Sequence, residues 1–247
     1  MSIFSTRSQL NLISAILSRY IRLPFSTDII PGAVMEAVLA QVHHASRLNT
    51  YDFVDVVNHK ERCGWQIKST KESTPVTWKR AKIRNAEKLI NASKASDEGV
   101  EELGREIINF CNEHAQKSME RYKLGKIGYA RLIVHNNGHV TYFEKLLCTS
   151  DHPLLFEPRE FEWRWSKQKQ NLKKEQLPAL HGFHKLTGKK WWAWHGLGEN
   201  QLHFVGERNW WPSCDNPHAI SFKFPNAEEK ISLEDLMSLL EKIEIPT

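Results

Sequence analysis

Apolar residues recur at helical spacing near the start of the chain. Leu10, Ile13, Leu17, Tyr20 and Ile21 fall on one side of a segment from about Ser8 to Arg22, and Pro24 stops it. Beyond the Pro31-Gly32 break, Val34, Val38, Leu39, Val42 and Ala45 make the buried stripe of a second helix, with Glu36 near its first turn. The period then changes from helical to alternating. Between Asp52 and Lys71, Val54 and Val56 alternate with Asp55, and Trp65 and Ile67 alternate with Gln66 and Lys68, which predicts two short strands joined by a polar loop. Pairing Val57 with Gly64 sets Val56 against Trp65 and Val54 against Ile67 on one apolar face. It also sets Asp55 opposite Gln66, with Lys68 further along the polar face. A shift by one residue would put Asp55 against Trp65 and spoil both faces.

The rest of the chain is read the same way. Glu72 to Asn85 reads as a polar loop ending in Lys79, Arg80, Lys82 and Arg84, with Trp78 among them. Acids lead a long helix from about Asp97 to Tyr122, with Leu103, Ile107, Phe110, Cys111, His114 and Met119 on its stripe. A second hairpin follows, turned by Asn137-Gly138. The last hundred residues are rich in tryptophan; Trp192, Phe204 and Trp211 are expected in the core. An amphipathic helix, Leu233 to Ile243, is expected to pack at the end.

Composition narrows the picture modestly. A length of 247 residues with 40% apolar side chains fits one domain, 1–247, with enough apolar surface for a core. A net charge of +5 and a pI near 9.0 point to a polyanionic partner. Cys63, Cys111, Cys148 and Cys214 are far apart and read as reduced thiols, which suits a cytoplasmic protein. No apolar run approaches the roughly 18 residues of a membrane span. Arg7, Arg19 and Arg22, with no acid before Asp28, resemble a transit peptide, but the apolar stripe favours an ordinary amphipathic helix. His43-His44 lacks the Asn and second His that an HNH-type site needs. Gly196-x-Gly198 is too short for a dinucleotide fingerprint.

A carboxylate, an amide oxygen and an ammonium on one side of a buried sheet are costly, and such cost usually marks chemistry. Asp55 followed by Gln66-Ile67-Lys68-Ser69 resembles the active-site hairpin of the PD-(D/E)xK nucleases, in particular the type II restriction endonucleases. Gln66 stands where that family usually has Glu or Asp. The resemblance extends over about residues 31–147 in the order of elements: a helix with Glu36, the hairpin, a helix, then a strand around 128–134. It implies a mixed α/β fold, a central sheet flanked by helices, with a restriction-endonuclease-like core and a C-terminal recognition region at about residues 151–230. It further implies that Asp55, the Gln66 oxygen and the Ile67 carbonyl hold Mg²⁺, while Lys68 positions or helps deprotonate the attacking water. Asp52 is the rival ligand, because Tyr51-Asp52-Phe53 is similar to the family's Pro-Asp-hydrophobic step; the register places it on the opposite face. Glu36 either completes a second metal site or orients a water, or else simply faces solvent.

The expected activity is site-specific cleavage of double-stranded DNA by a homodimer. A non-specific repair or phage nuclease of the same fold and a catalytically decayed DNA-binding module are the alternatives. Lys79, Arg80 and Lys82, with Ser69, Thr70 and Thr77, are candidates for phosphate contact; the cationic run reads equally as a solvated surface. His195, Asn200, Gln201, His203 and Arg208 carry groups that read base edges. The basic stretch from Arg164 to Lys174 is a further candidate for backbone contact.

Overall fold

The computed structural model describes residues 3–49, 52–167, 169–171, 174–213, 215–224 and 229–242. The helices are α1 (Arg7–Ile21), α2 (Gly32–Val42), α3 (Ala86–Ala95), α4 (Asp97–Tyr122) and α5 (Leu233–Leu240). Thr6 caps α1 in a capping box with Gln9. Ser96 caps α4, Asp97 and Glu98 occupy its first turn, and Lys123 ends it in a left-handed conformation.

The strands are β1 (Ser46–Arg47), β2 (Val56–Asn58), β3 (Cys63–Lys71), β4 (Val76–Arg80), β5 (Lys126–Val134), β6 (His139–Thr149) and β7 (Phe161–Trp165). They continue with β8 (Lys169–Asn171), β9 (Lys174–Gln176), β10 (Leu180–His184), β11 (Lys189–His195), β12 (Gln201–Phe204) and β13 (Ala219–Lys223). They form a six-stranded sheet in the order β1-β2-β3-β5-β6-β13, a five-stranded sheet in the order β4-β12-β11-β10-β7, and a small β8–β9 pair. The fold is mixed α/β. In the six-stranded sheet β3 and β5 run parallel, and the remaining pairs are antiparallel. A parallel pair needs a long crossover, and here β4, α3 and α4 supply it.

Two apolar layers cover the six-stranded sheet. On one face, Leu10, Ile13 and Leu17 of α1 and Met35 and Leu39 of α2 pack on Val56, Trp65, Ile67 and Leu132. On the other, Leu103, Ile107 and Cys111 of α4, together with Trp78, Trp192, Trp194 and Phe204 of the five-stranded sheet, pack on Tyr129, Ile133 and Phe143. A buried polar knot ties down the N-terminal segment. The Glu144 carboxylate accepts from the Ser5 amide and hydroxyl and from the Tyr142 hydroxyl, each at 2.6 Å. Burial pushes this carboxyl up, but hydrogen bonding to His43, Ser5 and Tyr142 outweighs it and holds the group below its ordinary value.

Several sequence expectations need correction. Val76 to Arg80 is a strand, β4, and not a loop: Val76 and Trp78 are buried while Thr77 is exposed, and the partner β12 lies far along the chain. The α3 helix was not expected. Val54 does not share a face with Val56 and Ile67; it packs with Phe53 and Val57 in the α4-side layer. Trp211 is only partly buried. None of the described residues of α5 is buried, and Leu233, Met237, Leu239 and Leu240 are exposed, so this helix does not pack as expected. Tyr51, Cys214 and Ile243 lie outside the described residues, as do Gln168, Leu172 and Lys173 of the Arg164–Lys174 stretch.

Gly104 of α4 faces Trp163 of β7 so closely that an added Cβ would run into the indole ring. Alanine normally gains about 0.8–1 kcal/mol over glycine within a helix. Overpacking a core costs about 1–3 kcal/mol. With a rigid ring as the obstacle, the second effect wins. Gly104→Ala is therefore expected to lower the urea midpoint of unfolding, and an unchanged or raised midpoint would show that the helix and strand can separate at little cost.

Candidate active site

The β2–β3 ladder has the register expected from the sequence, with Val57 opposite Gly64 and Val56 opposite Trp65. It departs from regularity at Asp55. The Asp55 amide donates to the Trp65 carbonyl at 2.8 Å, and the Asp55 carboxylate accepts the Ile67 amide at 2.6 Å. A side chain thus replaces the next rung of the ladder, which turns the chain and sends Val54 to the other face. Asp55 is thereby fixed between the backbone groups that flank Gln66.

Asp55 keeps some exposed surface, yet its carboxylate lies within the protein. Burial raises its pKa, and the neighbouring Glu36 adds to this; Lys68, the Ile67 amide and Lys79 oppose it without cancelling it. Gln66 is 1% exposed. Its Nε2 donates to the Trp78 carbonyl at 3.4 Å. Because that carbonyl can only accept, the amide must turn its NH₂ towards β4 and its oxygen away. Gln66 Oε1 is buried and has no hydrogen-bond partner. An acceptor left in this state costs about 1–3 kcal/mol, so the site has a reason to recruit an electrophile.

Lys79 belongs to this cluster. The β4–β12 pairing sets Lys79 opposite Leu202 and Thr77 opposite His203, leaving Trp78 as the extra residue of a bulge. The bulge brings both Trp78 and Lys79 to the inner side of β4. The Lys79 Nζ donates to the Asp52 carbonyl at 2.7 Å. Burial and the nearby Lys68 lower its pKa, while Asp55 and Asp52 act against them. The sequence placed Lys79 in a surface run; a bulge made by pairing with a distant strand leaves no local trace.

The other expected residues divide into two sets. Asp52 is engaged away from Asp55: Arg121 holds its carboxylate at 2.9 and 2.8 Å, and the Tyr122 hydroxyl donates to it. Glu36 pairs with Arg47 at 3.2 Å while remaining within electrostatic reach of Asp55. The Ile67 side chain lies in the α1–α2 layer. Ser69 donates to the Ile30 carbonyl at 2.6 Å, and Thr70 accepts from Arg131 at 2.6 Å, so both hydroxyls are used within the fold. Thr77, Arg80 and Lys82 are exposed. Gln201 stands opposite both Arg80 and His195. The Asn200 carbonyl receives the Ala81 amide. Arg208 is apart from this group and lies over the Trp211 ring at 5.8 Å.

Among the described residues, no three His, Cys, Asp or Glu side chains come together in a metal-binding group. A cation here would depend on oxygens of mixed type: the Asp55 carboxylate, Gln66 Oε1 and a backbone carbonyl. The unbonded Gln66 oxygen and the Asp55 carboxylate, which accepts the Ile67 amide, are oxygens of the kind a hard cation takes. The chain matches no family model, no curated protein and no solved structure.

The raised pKa of Asp55 has a consequence for stability. A carboxyl that holds its proton more tightly when folded makes the folded state relatively less stable once both states are ionised. Asp55→Asn mimics the protonated form and still offers an oxygen to the Ile67 amide. It is expected to raise the urea midpoint at pH 7. The gain should shrink as pH falls through the folded pKa and vanish below the ordinary carboxylate range. A loss of stability at pH 7 would show that Asp55 is held for structural reasons.

Proposed function

We propose that this protein is a Mg²⁺-dependent endonuclease that hydrolyses phosphodiester bonds of double-stranded DNA at a specific site. In this reading it is a type II restriction enzyme of the PD-(D/E)xK kind with a Gln-x-Lys site. The observation that carries the reading is Asp55, held by the Ile67 amide and within electrostatic reach of Lys68, at the irregular end of the strand pair that also carries the buried, unbonded oxygen of Gln66. The order of elements around it supports the same core: α2, β2–β3, α4 and then β5 parallel to β3.

Asp55, Gln66 Oε1 and the Ile67 carbonyl would hold the cation. Bound there, Mg²⁺ lowers the pKa of water and draws charge from phosphoryl oxygens. The chain's own groups do the rest. Lys68 orients the attacking water and stabilises charge as it develops on the phosphate. Lys79, tethered to the Asp52 carbonyl, supplies a second cation beside Asp55 and holds the phosphodiester in place. Trp78, through its carbonyl, keeps the Gln66 oxygen pointed at the metal position. Arg80 and Lys82 bind flanking phosphates. A two-fold homodimer would cut both strands of a symmetric sequence.

A second reading has one specific observation in its favour. Gln66 stands where the resembled hairpin usually has an acid, as it would in a DNA-binding module whose nuclease site has decayed. Incubation with plasmid and phage DNA plus Mg²⁺ separates the readings. Discrete fragments are expected. A smear would indicate a nuclease without sequence specificity, and intact DNA with a mobility shift would indicate the decayed module.

Two substitutions probe the assignments. Lys68→Ala should lower the cleavage rate about 10²-fold or more, the usual worth of a positioned acid–base group, with DNA binding retained. Undiminished cleavage would remove Lys68 from the mechanism. Gln66→Glu should preserve Mg²⁺ binding, read as the Mg²⁺ concentration for half-maximal cleavage; abolished Mg²⁺ binding would refute the ligand role of Gln66.

A further inference from the structure

The outer face of the five-stranded sheet, turned away from the catalytic cluster, carries its own pattern of charge. One row crosses all five strands: Arg164 on β7, His181 on β10, Ala193 on β11, His203 on β12 and Thr77 on β4. In the next row His195 stands opposite Gln201, and Gln201 opposite Arg80. Between these rows lies a groove of about 320 Å³, lined by His181, His195, His203, Lys167 and Lys190 and floored by Ala179 and Ala193. Its described lining contains no carboxylate.

Lys190, His195 and His203 share this groove with no carboxylate in its described lining, and cationic groups so gathered repel one another unless an anion joins them. His195 and His203 have ring centroids 4.9 Å apart. The His203 Nε2 bonds to Gln201 Oε1 at 2.9 Å, so that nitrogen carries the hydrogen and Nδ1 gains one only on protonation. Small alanines on the floor leave room for a backbone to lie across the sheet. The strand shared with the active site sets the direction: Arg80 faces outward beside Gln201, while the adjacent Lys79 is turned inward by the bulge.

We infer that this groove is a second phosphate-binding track, in which His195, His203 and Lys190 hold the DNA backbone away from the scissile bond. The inference rests on duplex DNA being the partner in that reading, whether or not it is cut, and it adds a pH-dependent grip. Burial and the neighbouring His195 lower the pKa of His203, with Glu199 opposing them. Glu162, one row beyond His181 and opposite Phe183, is the acid of that edge; Arg164 lies over the Phe183 ring at 3.8 Å. A phosphate in the groove favours the charged form of His203 and so raises its pKa. Phosphate binding is therefore strongest below the free histidine range and is lost as pH rises through the bound value.

The test is fluorescence anisotropy of a labelled DNA duplex in EDTA, at about pH 5.5 and about pH 8. The intact chain should bind about fivefold more tightly at the lower pH if the His203 pKa rises by about one unit on binding. The His195→Ala/His203→Ala double variant should lose most of this difference. Lys190→Ala should reduce the slope of log K against log salt by about one. Unchanged pH dependence and salt slope in the groove variants, with the fold intact by circular dichroism, would overturn the inference; so would failure of the intact chain to bind duplex at all. If the intact chain binds with this signature but cuts nothing with Mg²⁺, the nuclease reading falls and the groove stands.

Discussion

The arrangement of the candidate site depends on one hydrogen bond, from the Ile67 amide to the Asp55 carboxylate at 2.6 Å. A regular ladder would have used a backbone carbonyl there. By taking that place, Asp55 ends the β2 pairing, sends Val54 into the α4-side layer, and fixes its carboxylate against the backbone around Gln66. A carboxylate held by a strand amide has little rotational freedom left to lose when it binds a ligand. Gln66 is fixed in the same manner, because the acceptor facing it on β4 dictates which end of the amide points away.

β4 links this site to the rest of the molecule. It follows β3 directly, yet it pairs in the other sheet. Its bulge places Trp78 in the aromatic layer, with Tyr129, Phe156, Trp192 and Phe204 around it at centroid distances between 5.0 and 5.9 Å. Packing of this kind makes the strand hard to shift, which suits a strand that must hold both a glutamine and a lysine in place. The same strand shows Thr77 and Arg80 to solvent. One short element therefore has a side facing the candidate site and a side facing solvent, and its position is set by the tryptophans of the C-terminal half.

How much of this was legible in the sequence follows from the range of each interaction. The β2–β3 register was legible because a two-residue period with one buried face permits only one alignment of Val56 with Trp65. The α1 stripe, the acid-led start of α4 and the Asn137-Gly138 turn are local signals, and all three were readable. β4 was not, because its partner β12 lies more than a hundred residues on, and Lys79 and Arg80 masked the alternation of Val76, Thr77 and Trp78. The turn at Asp55 was hidden for a different reason: a side chain replacing a backbone acceptor has no periodicity. Likewise, no spacing rule distinguishes a glutamine with a bare buried oxygen from one that is fully bonded.

Gln66 departs from the usual acidic residue of the family that the hairpin resembles, and the charges around it suggest why a neutral side chain can serve. Asp55 already carries a raised pKa from burial and from Glu36. A glutamate at the buried position 66 would add a second anion beside it, and each would make the other harder to ionise. With glutamine there, the inner cluster consists of one carboxylate, Asp55, and two ammonium groups, Lys68 and Lys79. That balance favours a phosphodiester first, since one negative charge neutralises the excess. On the proposed reading, the cation then meets carboxylate, amide and phosphate oxygens together, and the DNA itself supplies the ligand that the chain lacks. On that reading the site would bind metal weakly when empty and well when loaded, and cleavage would be tied to the presence of substrate.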